Sequence, residues 1–257
     1  MAKPASAANA GTGDTATLGR MGTTVDVRPA ADRAVTTNSW LTSRHSFSFG
    51  DHYDPANTHH GLLLVNNDDI VAADTGFDMH PHRDMEIVTW VLSGSLAHAD
   101  SAGNSGVIRP GLAQRMSAGT GIRHSEKNES SVEPVRFIQM WLVPDEPGIA
   151  PEYQQQEVDI DGGLVTIASG RADDAAVAVH NRHAALHGAR LQDGQSVELP
   201  EAPYVHLFVA RGRLALEDVG AIGEGDAVRF AGSGGQRLTA SELSEILVWE
   251  MHAGLAA

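Results

Sequence analysis

Two short segments of the sequence carry side chains that could bind one metal ion. They are His80-Pro81-His82 and His124-Ser125-Glu126, and in each of them one potential ligand follows another by two residues. Because residues two apart in a β-strand point to the same face, each segment can direct both of its ligands to one point. The sequence therefore predicts that the two segments meet and hold a single metal ion.

The predicted ligands are three imidazoles and one carboxylate, a set that suits a divalent transition ion. Four protein ligands leave two open positions on an octahedral ion, enough for an organic substrate and dioxygen together, whereas a structural zinc site would be tetrahedral and closed. The chain has no cysteine, which excludes disulfides, thiolate catalysis and cysteine-based metal sites.

A second carboxylate competes for the fourth position at the metal. Glu86 follows His82 by four residues and would face the same side of a regular strand. On this geometry, a site with Glu86 is as consistent with the spacing as a site with Glu126. The remaining histidines, His98 among them, are interpreted as lacking a second ligand at strand spacing and as having no part in metal binding.

The segments around the predicted site have the composition of β-strands. The chain contains 27 glycines at short intervals, and strand-forming residues fill segments such as Glu86 to Leu92 and Arg136 to Val143. Val25 to Val35 predicts a first strand with a bend at Pro29, whereas Asn66-Asn67-Asp68-Asp69 has the composition of a turn. The pattern predicts an all-β fold of many strands joined by tight turns.

The second half of the chain repeats the pattern of the first. Residues 91–100 resemble residues 209–218, and residues 106–116 resemble residues 220–230. Such a repeat predicts two β-domains of the same topology. The paired ligands are not repeated, and the positions that correspond to them hold Glu198, Pro200, Leu238 and Ala240. The sequence therefore predicts one metal site, in the first half.

These patterns divide the chain into three parts. The predicted parts are a disordered tail at residues 1–22, a metal-binding domain at residues 23–147 and a second domain, without the metal site, at residues 148–257. The two domains are expected to meet in the proline-containing segment from Pro144 to Pro151.

The overall charge and the distribution of apolar residues limit the partners of the protein. A formal net charge of −15 argues against nucleic acid and anionic membranes. No apolar run approaches the roughly 20 residues of a membrane span, and the first residues lack the apolar core of a signal peptide. We therefore expect a cytoplasmic monomer.

The two metal-binding segments resemble the two motifs of the cupin superfamily. Gly76…His80-x-His82-x-x-x-Glu86…Gly94 is similar to the first motif, and Gly121-x-x-His124-x-x-x-Asn128 is similar to the second. Within the cupins, residues 80–86, 101–104 and 116–126 resemble the pirin family. The resemblance implies a bicupin, that is, two tandem jelly-roll β-barrels with one metal in the N-terminal barrel.

The resemblance also implies the ligands and the metal. Carried over to this sequence, the family pattern names His80, His82, His124 and Glu126 as ligands. It makes Glu86 a residue near the site that does not bind the metal. The implied ion is Fe(2+), with Mn, Ni, Co, Cu and Zn as alternatives.

Several pirins resemble quercetin 2,3-dioxygenases in activity. The implied reaction opens the heterocyclic ring of a flavonol such as quercetin with O2 and releases carbon monoxide. Glu126 would act as the general base for the flavonol 3-hydroxyl, and Phe47 or Phe49 would contact the aromatic rings. The alternatives are a non-enzymatic regulator that binds a partner protein through its metal-bearing cupin, and a different cupin reaction on a small metabolite.

Overall fold

The structure of the protein is a computed structural model that describes residues 23–255, so the tail predicted for residues 1–22 lies outside the described part of the chain. The first half contains β1 (Thr24–Arg28), β2 (Ala34–Thr37), β3 (Leu41–His45), β4 (Leu63–Val71), β5 (Gly76–His82), β6 (Glu86–Ser93), β7 (Leu96–Asp100), β8 (Ser105–Ile108), β9 (Leu112–Ser117), β10 (Ile122–Asn128) and β11 (Val135–Leu142). The second half contains β12 (Glu152–Glu157), β13 (Val165–Ser169), β14 (Val177–Ala178), β15 (Ala184–Leu191), β16 (Ser196–Glu198), β17 (Ala202–Arg211), β18 (Arg213–Leu216), β19 (Gly220–Gly223), β20 (Ala227–Ser233), β21 (Arg237–Ala240) and β22 (Ser244–Met251). One turn of 3-10 helix, Ala30–Asp32, separates β1 from β2.

The strands form two barrels with the same arrangement. Each barrel joins a seven-stranded sheet to a four-stranded sheet. The large sheets have the orders β12-β9-β6-β11-β4-β3-β2 and β1-β20-β17-β22-β15-β13-β14, and the small sheets have the orders β5-β10-β7-β8 and β16-β21-β18-β19. The predicted all-β bicupin fold is confirmed. Among residues 23–255, no helix has the length and apolar character needed to cross a membrane.

Two strands pair across the boundary predicted between residues 147 and 148. β12 follows that boundary but pairs with β9 of the first barrel, from Glu152 opposite Ser117 onward. β1 begins the first half but pairs with β20 of the second barrel, from Thr24 opposite Ala231 onward. The prediction of one bent strand from residue 25 to residue 35 was therefore wrong, because β1 and β2 belong to different sheets.

The four polar residues at positions 66–69 do not form a turn, as their composition predicts, but lie in the buried strand β4. Their intrinsic preference is overridden because each side chain finds an interior environment. Asn66 donates to Ser46, and Asn67 accepts a bond from the ring of His45. Asp68 forms a bidentate pair with the guanidinium of Arg136. This strand contributes one wall of the site described below.

The core has separate layers between and within the barrels. The two large sheets pack against each other through a cluster that contains Trp90 and Met140 from one barrel and Phe208 and Trp249 from the other. The indole of Trp249 donates to the sulfur of Met140 at 3.3 Å, which joins the two sheets near the middle of this layer.

The interior of the second barrel is filled mainly by aliphatic side chains. Val197 of β16 pairs with Leu238 of β21, and Leu238 and Ala240 are buried in the apolar cluster between the large and small sheets. In the first barrel, β5 and β10 have the same places in the small sheet and carry the predicted ligand pairs. The first barrel therefore has polar side chains at the positions where the second barrel has apolar ones.

Candidate metal centre

Two adjacent antiparallel strands bring three of the predicted ligands together. His80 of β5 lies opposite His124 of β10 in the register, and His82 follows two residues later on the same face. The ring centroids of the three histidines are 4.4 to 4.9 Å apart. Their potential ligand atoms all lie within 4.8 Å of one another, the one such group of three or more among residues 23–255.

The free nitrogens of these rings fit a divalent metal ion. The Nδ1 of His80 donates to the carbonyl oxygen of Asp78 at 2.8 Å, so its Nε2 carries the lone pair. The Nε2 atoms of His82 and His124 are buried and have no hydrogen-bond partner within the described residues. Burial, together with the neighbouring rings, lowers the pKa of His82 and of His124 to about 3, which keeps both rings neutral and able to bind a metal.

The structure adds a residue to this centre that the sequence interpretation missed. The Nδ1 of His98 lies 3.4 Å from the Nδ1 of His124, and its Nε2 lies 3.4 Å from a carboxylate oxygen of Asp100. Burial opposes the charged form of Asp100, but bonds from Asn104 and from His98 hold the pKa of that carboxyl below its usual value. The ring of Tyr153, from β12, stacks on His98 at 4.7 Å.

These contacts determine which nitrogen of His124 is free. The ionised Asp100 accepts a hydrogen bond from the Nε2–H of His98, which leaves the Nδ1 of His98 as an acceptor for the N–H of His124. The Nε2 of His124 then has a lone pair for a metal. His98 lies outside the group of three converging rings, so the interpretation that it does not bind the metal stays a prediction, but it orients the ring of His124. The sequence held a signal for this contact, because Asp100 follows His98 by two residues on β7.

Glu126 lines the same cavity as His80 and His82 but does not join the group of three converging rings. The register of β10 against β5 shifts between His124 and Glu126, so the carboxylate departs from the regular strand position. Burial raises the pKa of Glu126, and its hydrogen bond with Gln139 acts in the opposite direction. Its role as fourth ligand stays a prediction.

Gln139 holds the carboxylate of Glu126 in place. The indole nitrogen of Trp141 can only donate, and it lies 3.1 Å from the Oε1 of Gln139. The amide nitrogen of Gln139 therefore faces Glu126 and lies 2.9 Å from both of its carboxylate oxygens. This arrangement directs the carboxylate into the barrel.

Glu86, the competing carboxylate, is buried elsewhere. One of its oxygens accepts bonds from the hydroxyl of Ser117 at 2.9 Å and from the backbone N–H of His180 at 3.1 Å. Burial raises the pKa of Glu86. The side chain is neither part of the three-histidine group nor in the lining of the cavity beside it.

A cavity of about 180 Å³ adjoins the three histidines. Its lining comprises Thr36, Leu41, Ser43, His45, Phe49, Asn67, Asp69, Phe77, His80, His82, Glu126, Gln139 and Trp141. Phe49 contacts the ring of Trp141 edge-on at 5.5 Å and stacks on His45 at 5.0 Å. Phe47, the other residue named as a possible contact for the aromatic rings, instead lies in the layer between the sheets, beyond the end of β3 at His45.

Comparisons with known proteins place the chain in a family. The Pirin model matches residues 28–142, and a model described as Quercetinase C-terminal cupin domain matches residues 166–251. A Mycobacterium bovis protein is 67% identical to this chain over 239 residues, which cover 91% of this chain and 98% of that protein. That protein carries the provisional name quercetin 2,3-dioxygenase. The chain belongs to the pirin family.

Other pirin relatives are similar in sequence and in structure. Quercetin 2,3-dioxygenase of Escherichia coli K12 is 41% identical to this pirin over 194 residues, which cover 75% of this chain and 84% of that protein. The crystal structure of YhhW from Escherichia coli has a TM-score of 0.85 and 34% identity, covering 91% of this chain and 100% of that chain. A structure of bacterial pirin YhhW in complex with nickel(II) has a TM-score of 0.83 and 34% identity, covering 90% and 100%.

In this pirin, the geometry combines a set of histidine nitrogen donors, a buried carboxylate and an aromatic wall around one cavity. The nitrogen donors suit a divalent transition ion. Glu126 beside them can accept a proton inside a site of low polarity. Phe49 and Trp141 offer ring faces and edges to a flat aromatic molecule.

Proposed function

We propose that this pirin is a metal-dependent dioxygenase that opens the heterocyclic ring of flavonols such as quercetin with O2 and releases carbon monoxide. The observation that carries the proposal is the convergence of three histidine rings at one end of an aromatic-walled cavity. The names of the Escherichia coli and Mycobacterium bovis relatives support it.

The proposed cofactor is one divalent ion, Fe(2+) in the first instance, with Mn, Ni, Co, Cu or Zn as alternatives. His80, His82 and His124 would hold it through their free nitrogens, with Glu126 as the fourth ligand. When bound, such an ion supplies Lewis-acid chemistry and a path for electrons between the substrate and dioxygen.

Glu126 is proposed as the general base for the 3-hydroxyl of the flavonol. A carboxylate whose pKa is raised by burial is a stronger base than one in water, so it takes up a phenolic proton more readily. Gln139 keeps the carboxylate oriented during this step. Phe49 and Trp141 would hold the flat ring system and exclude water from the cavity.

The test is a turnover measurement with defined metals. The purified protein is analysed for metal by mass spectrometry, and its iron, manganese, nickel and cobalt forms are each mixed with quercetin in air. Loss of the flavonol absorbance together with stoichiometric carbon monoxide is expected from at least one form. Absence of both from all four forms would reject the dioxygenase.

A double variant tests the site separately. His80→Ala with His124→Ala removes two of the three converging rings, so stoichiometric metal binding and turnover should both disappear. His59→Ala is the matched control, because His59 is exposed and outside the cluster. Metal retained at one equivalent in the double variant would show that the ion is bound elsewhere.

A further inference from the structure

Asp69 is a buried carboxyl group in the wall of the cavity that the proposed reaction does not use. It lies on β4, is 3% exposed and belongs to the cavity lining. The strand β3 places Ser43 directly opposite it, and the Ser43 side chain forms a hydrogen bond with the carboxyl group. The other carboxyl oxygen, Oδ1, is buried and has no hydrogen-bond partner within residues 23–255.

Most of the other polar groups of the cavity are already paired. At one side, the hydroxyl of Thr36 lies 2.8 Å from the Nε2 of His45, and the Nδ1 of His45 lies 2.9 Å from the Oδ1 of Asn67. At the other side, Trp141, Gln139 and Glu126 form the chain of bonds described above.

Two buried polar atoms of the lining remain unpartnered among the described residues. They are the Nε2 of His82, which faces the metal position, and the Oδ1 of Asp69. A buried oxygen without a hydrogen-bond donor destabilises the folded state, so folded proteins retain few of them. A ligand that donates a hydrogen bond to Asp69 would offset this cost in the bound state.

The protonation of Asp69 suits a hydroxyl group as the ligand. Burial raises the pKa of Asp69 to about 7, and the bond from Ser43 opposes this shift. Near neutral pH the group is therefore present both as a carboxylate and as a carboxylic acid. A phenolic hydroxyl, which can donate and accept, is able to pair with either form.

The strand register places Asp69 farther along the cavity wall than the pair of Gln139 and Glu126. Asn67 lies opposite Gln139 in the pairing of β4 with β11, and Gln139 contacts Glu126. Asp69 is two residues farther along the same face of β4, a rise of roughly 7 Å. Asp69 lines the same cavity as His80 and His82, so an aromatic molecule of two or three rings that is held by one edge at the metal can direct a hydroxyl of its outer ring toward Asp69.

We propose that Asp69 binds a phenolic hydroxyl on the part of the substrate remote from the metal, so that the cavity selects polyhydroxylated flavonols over 3-hydroxyflavone. The inference rests on the proposed function for the class of substrate and adds the residue that distinguishes members of that class. A site built to bind a hydroxyl discriminates strongly against the analogue that lacks it, because its polar group is then left unpaired.

The test is anaerobic binding, which requires no turnover. The nickel(II)-loaded protein is titrated with quercetin and with 3-hydroxyflavone, and the absorbance change of each flavonol gives its Kd. We expect quercetin to bind at least tenfold more tightly. In Asp69→Ala, quercetin should lose at least tenfold in affinity, whereas the affinity for 3-hydroxyflavone should change less than threefold.

Two further variants separate recognition from structural effects. Asp69→Asn keeps an oxygen at the same place and should retain quercetin binding within about threefold. Asp193→Asn is the control, because Asp193 is exposed and remote from the cavity lining. Thermal melting of each variant shows whether it is folded under the conditions of the titration.

Several results would overturn the proposal. Equal weakening of both ligands in Asp69→Ala would indicate a structural role, and unchanged quercetin affinity would indicate that Asp69 meets only water. If no variant folds, equal affinities of the wild-type protein for the two flavonols would still reject it. Discrimination between the two flavonols without turnover in air would support the role of Asp69 and reject the dioxygenase. Turnover without discrimination would support the dioxygenase and reject the role of Asp69.

Discussion

For two histidines of the metal centre, His80 and His124, the neighbour of one ring nitrogen determines that the other nitrogen is free. The carbonyl of Asp78 orients His80, and the pair of Asp100 and His98 orients His124. Such partners fix the tautomer and the ring direction of a metal ligand, and their loss commonly weakens metal binding by 10–100-fold. The metal affinity of the site therefore depends on residues that do not contact the metal.

Replacement of His98 tests this dependence. His98→Leu removes the acceptor for the Nδ1 of His124, so we expect a 10–100-fold weaker Kd for nickel(II), measured by competition with a chromophoric chelator. His98→Gln, whose amide oxygen can accept the same bond, should recover most of the affinity. His59→Gln serves as the control, and an unchanged Kd in His98→Leu would contradict the assignment.

Asp69 makes the stability of the protein depend on pH. Its pKa is higher in the folded protein, about 7, than its ordinary value of 3.8, so the folded state loses stability as the pH rises from about 4 to about 7. Asp69→Asn removes this loss. The variant should exceed the wild type in free energy of unfolding at pH 8, by at most about 4 kcal/mol, and gain little at pH 4.

Urea unfolding at both pH values, with the metal content held constant, measures this difference. Asp193→Asn provides the comparison for an exposed carboxyl group. A gain of the same size at pH 4 and pH 8 would show that the effect of Asp69→Asn is unrelated to its ionisation.

At the scale of the strands, the centre depends on a close approach of β5 to β10. Gly76 begins β5 with φ of +150°, and a Cβ atom there would lie 2.2 Å from the carbonyl oxygen of Glu126. That approach coincides with the register shift that sets Glu126 apart from His124. A residue with a side chain at position 76 would push the two strands apart.

Gly76→Ala should therefore destabilise the protein and loosen the metal site together. We expect a loss of about 2 kcal/mol or more in the free energy of unfolding, and a weaker nickel(II) Kd. Gly163→Ala is the matched control, since a Cβ there meets nothing within 4 Å and the change should stay within about 0.5 kcal/mol. Equal stability of the two variants would contradict the contact with Glu126.

The sequence predicts those features of the site that arise from local alternation. The pairs at residues 80–82 and 124–126 point inward because they lie on strands of period two, and three of these side chains converge. Asp69 could not be recognised in this way. Its neighbours have turn-forming propensity, and it lies in a strand because Asp68 finds Arg136, a residue 68 positions away.

The exchange of β1 and β12 between the sheets was equally hidden in the sequence. Neither strand has a residue pattern that identifies the strand it pairs with. The sheet that each strand joins depends on which sheet edge is unpaired when the two barrels meet. The internal repeat predicted the number and topology of the barrels, but not their contacts. The sheet that each of these strands joins is thus decided by long-range pairing rather than by local propensity, so the sequence does not predict it.

At the scale of the whole molecule, the barrels are joined by the apolar layer between their large sheets and by the exchanged strands. We therefore expect one calorimetric unfolding transition, with metal release at the same temperature. Trp249 packs in the layer between the sheets, on the opposite side of β11 from Gln139. Trp249→Ala should lower the unfolding temperature and the metal-release temperature together, because burial of the indole contributes about 3–5 kcal/mol.

Differential scanning calorimetry with a metal-sensitive dye measures both temperatures in the same sample. Leu243→Ala is the control, because Leu243 is 57% exposed. Two resolved transitions, or release of the metal at the wild-type temperature in Trp249→Ala, would show that the barrels unfold independently.

The reciprocal placement of β1 and β12 has the geometry of a strand-swapped dimer whose subunits have become one polypeptide. Each half completes the other's sheet, so covalent connection spares the protein any dependence on its own concentration. Separately produced fragments of residues 23–147 and 148–257 should consequently complement each other and co-elute from size-exclusion chromatography as a one-to-one heterodimer. Fragments that fold and remain apart would contradict this. The two halves of the chain therefore pair as the chains of a heterodimer would, with a linker joining them.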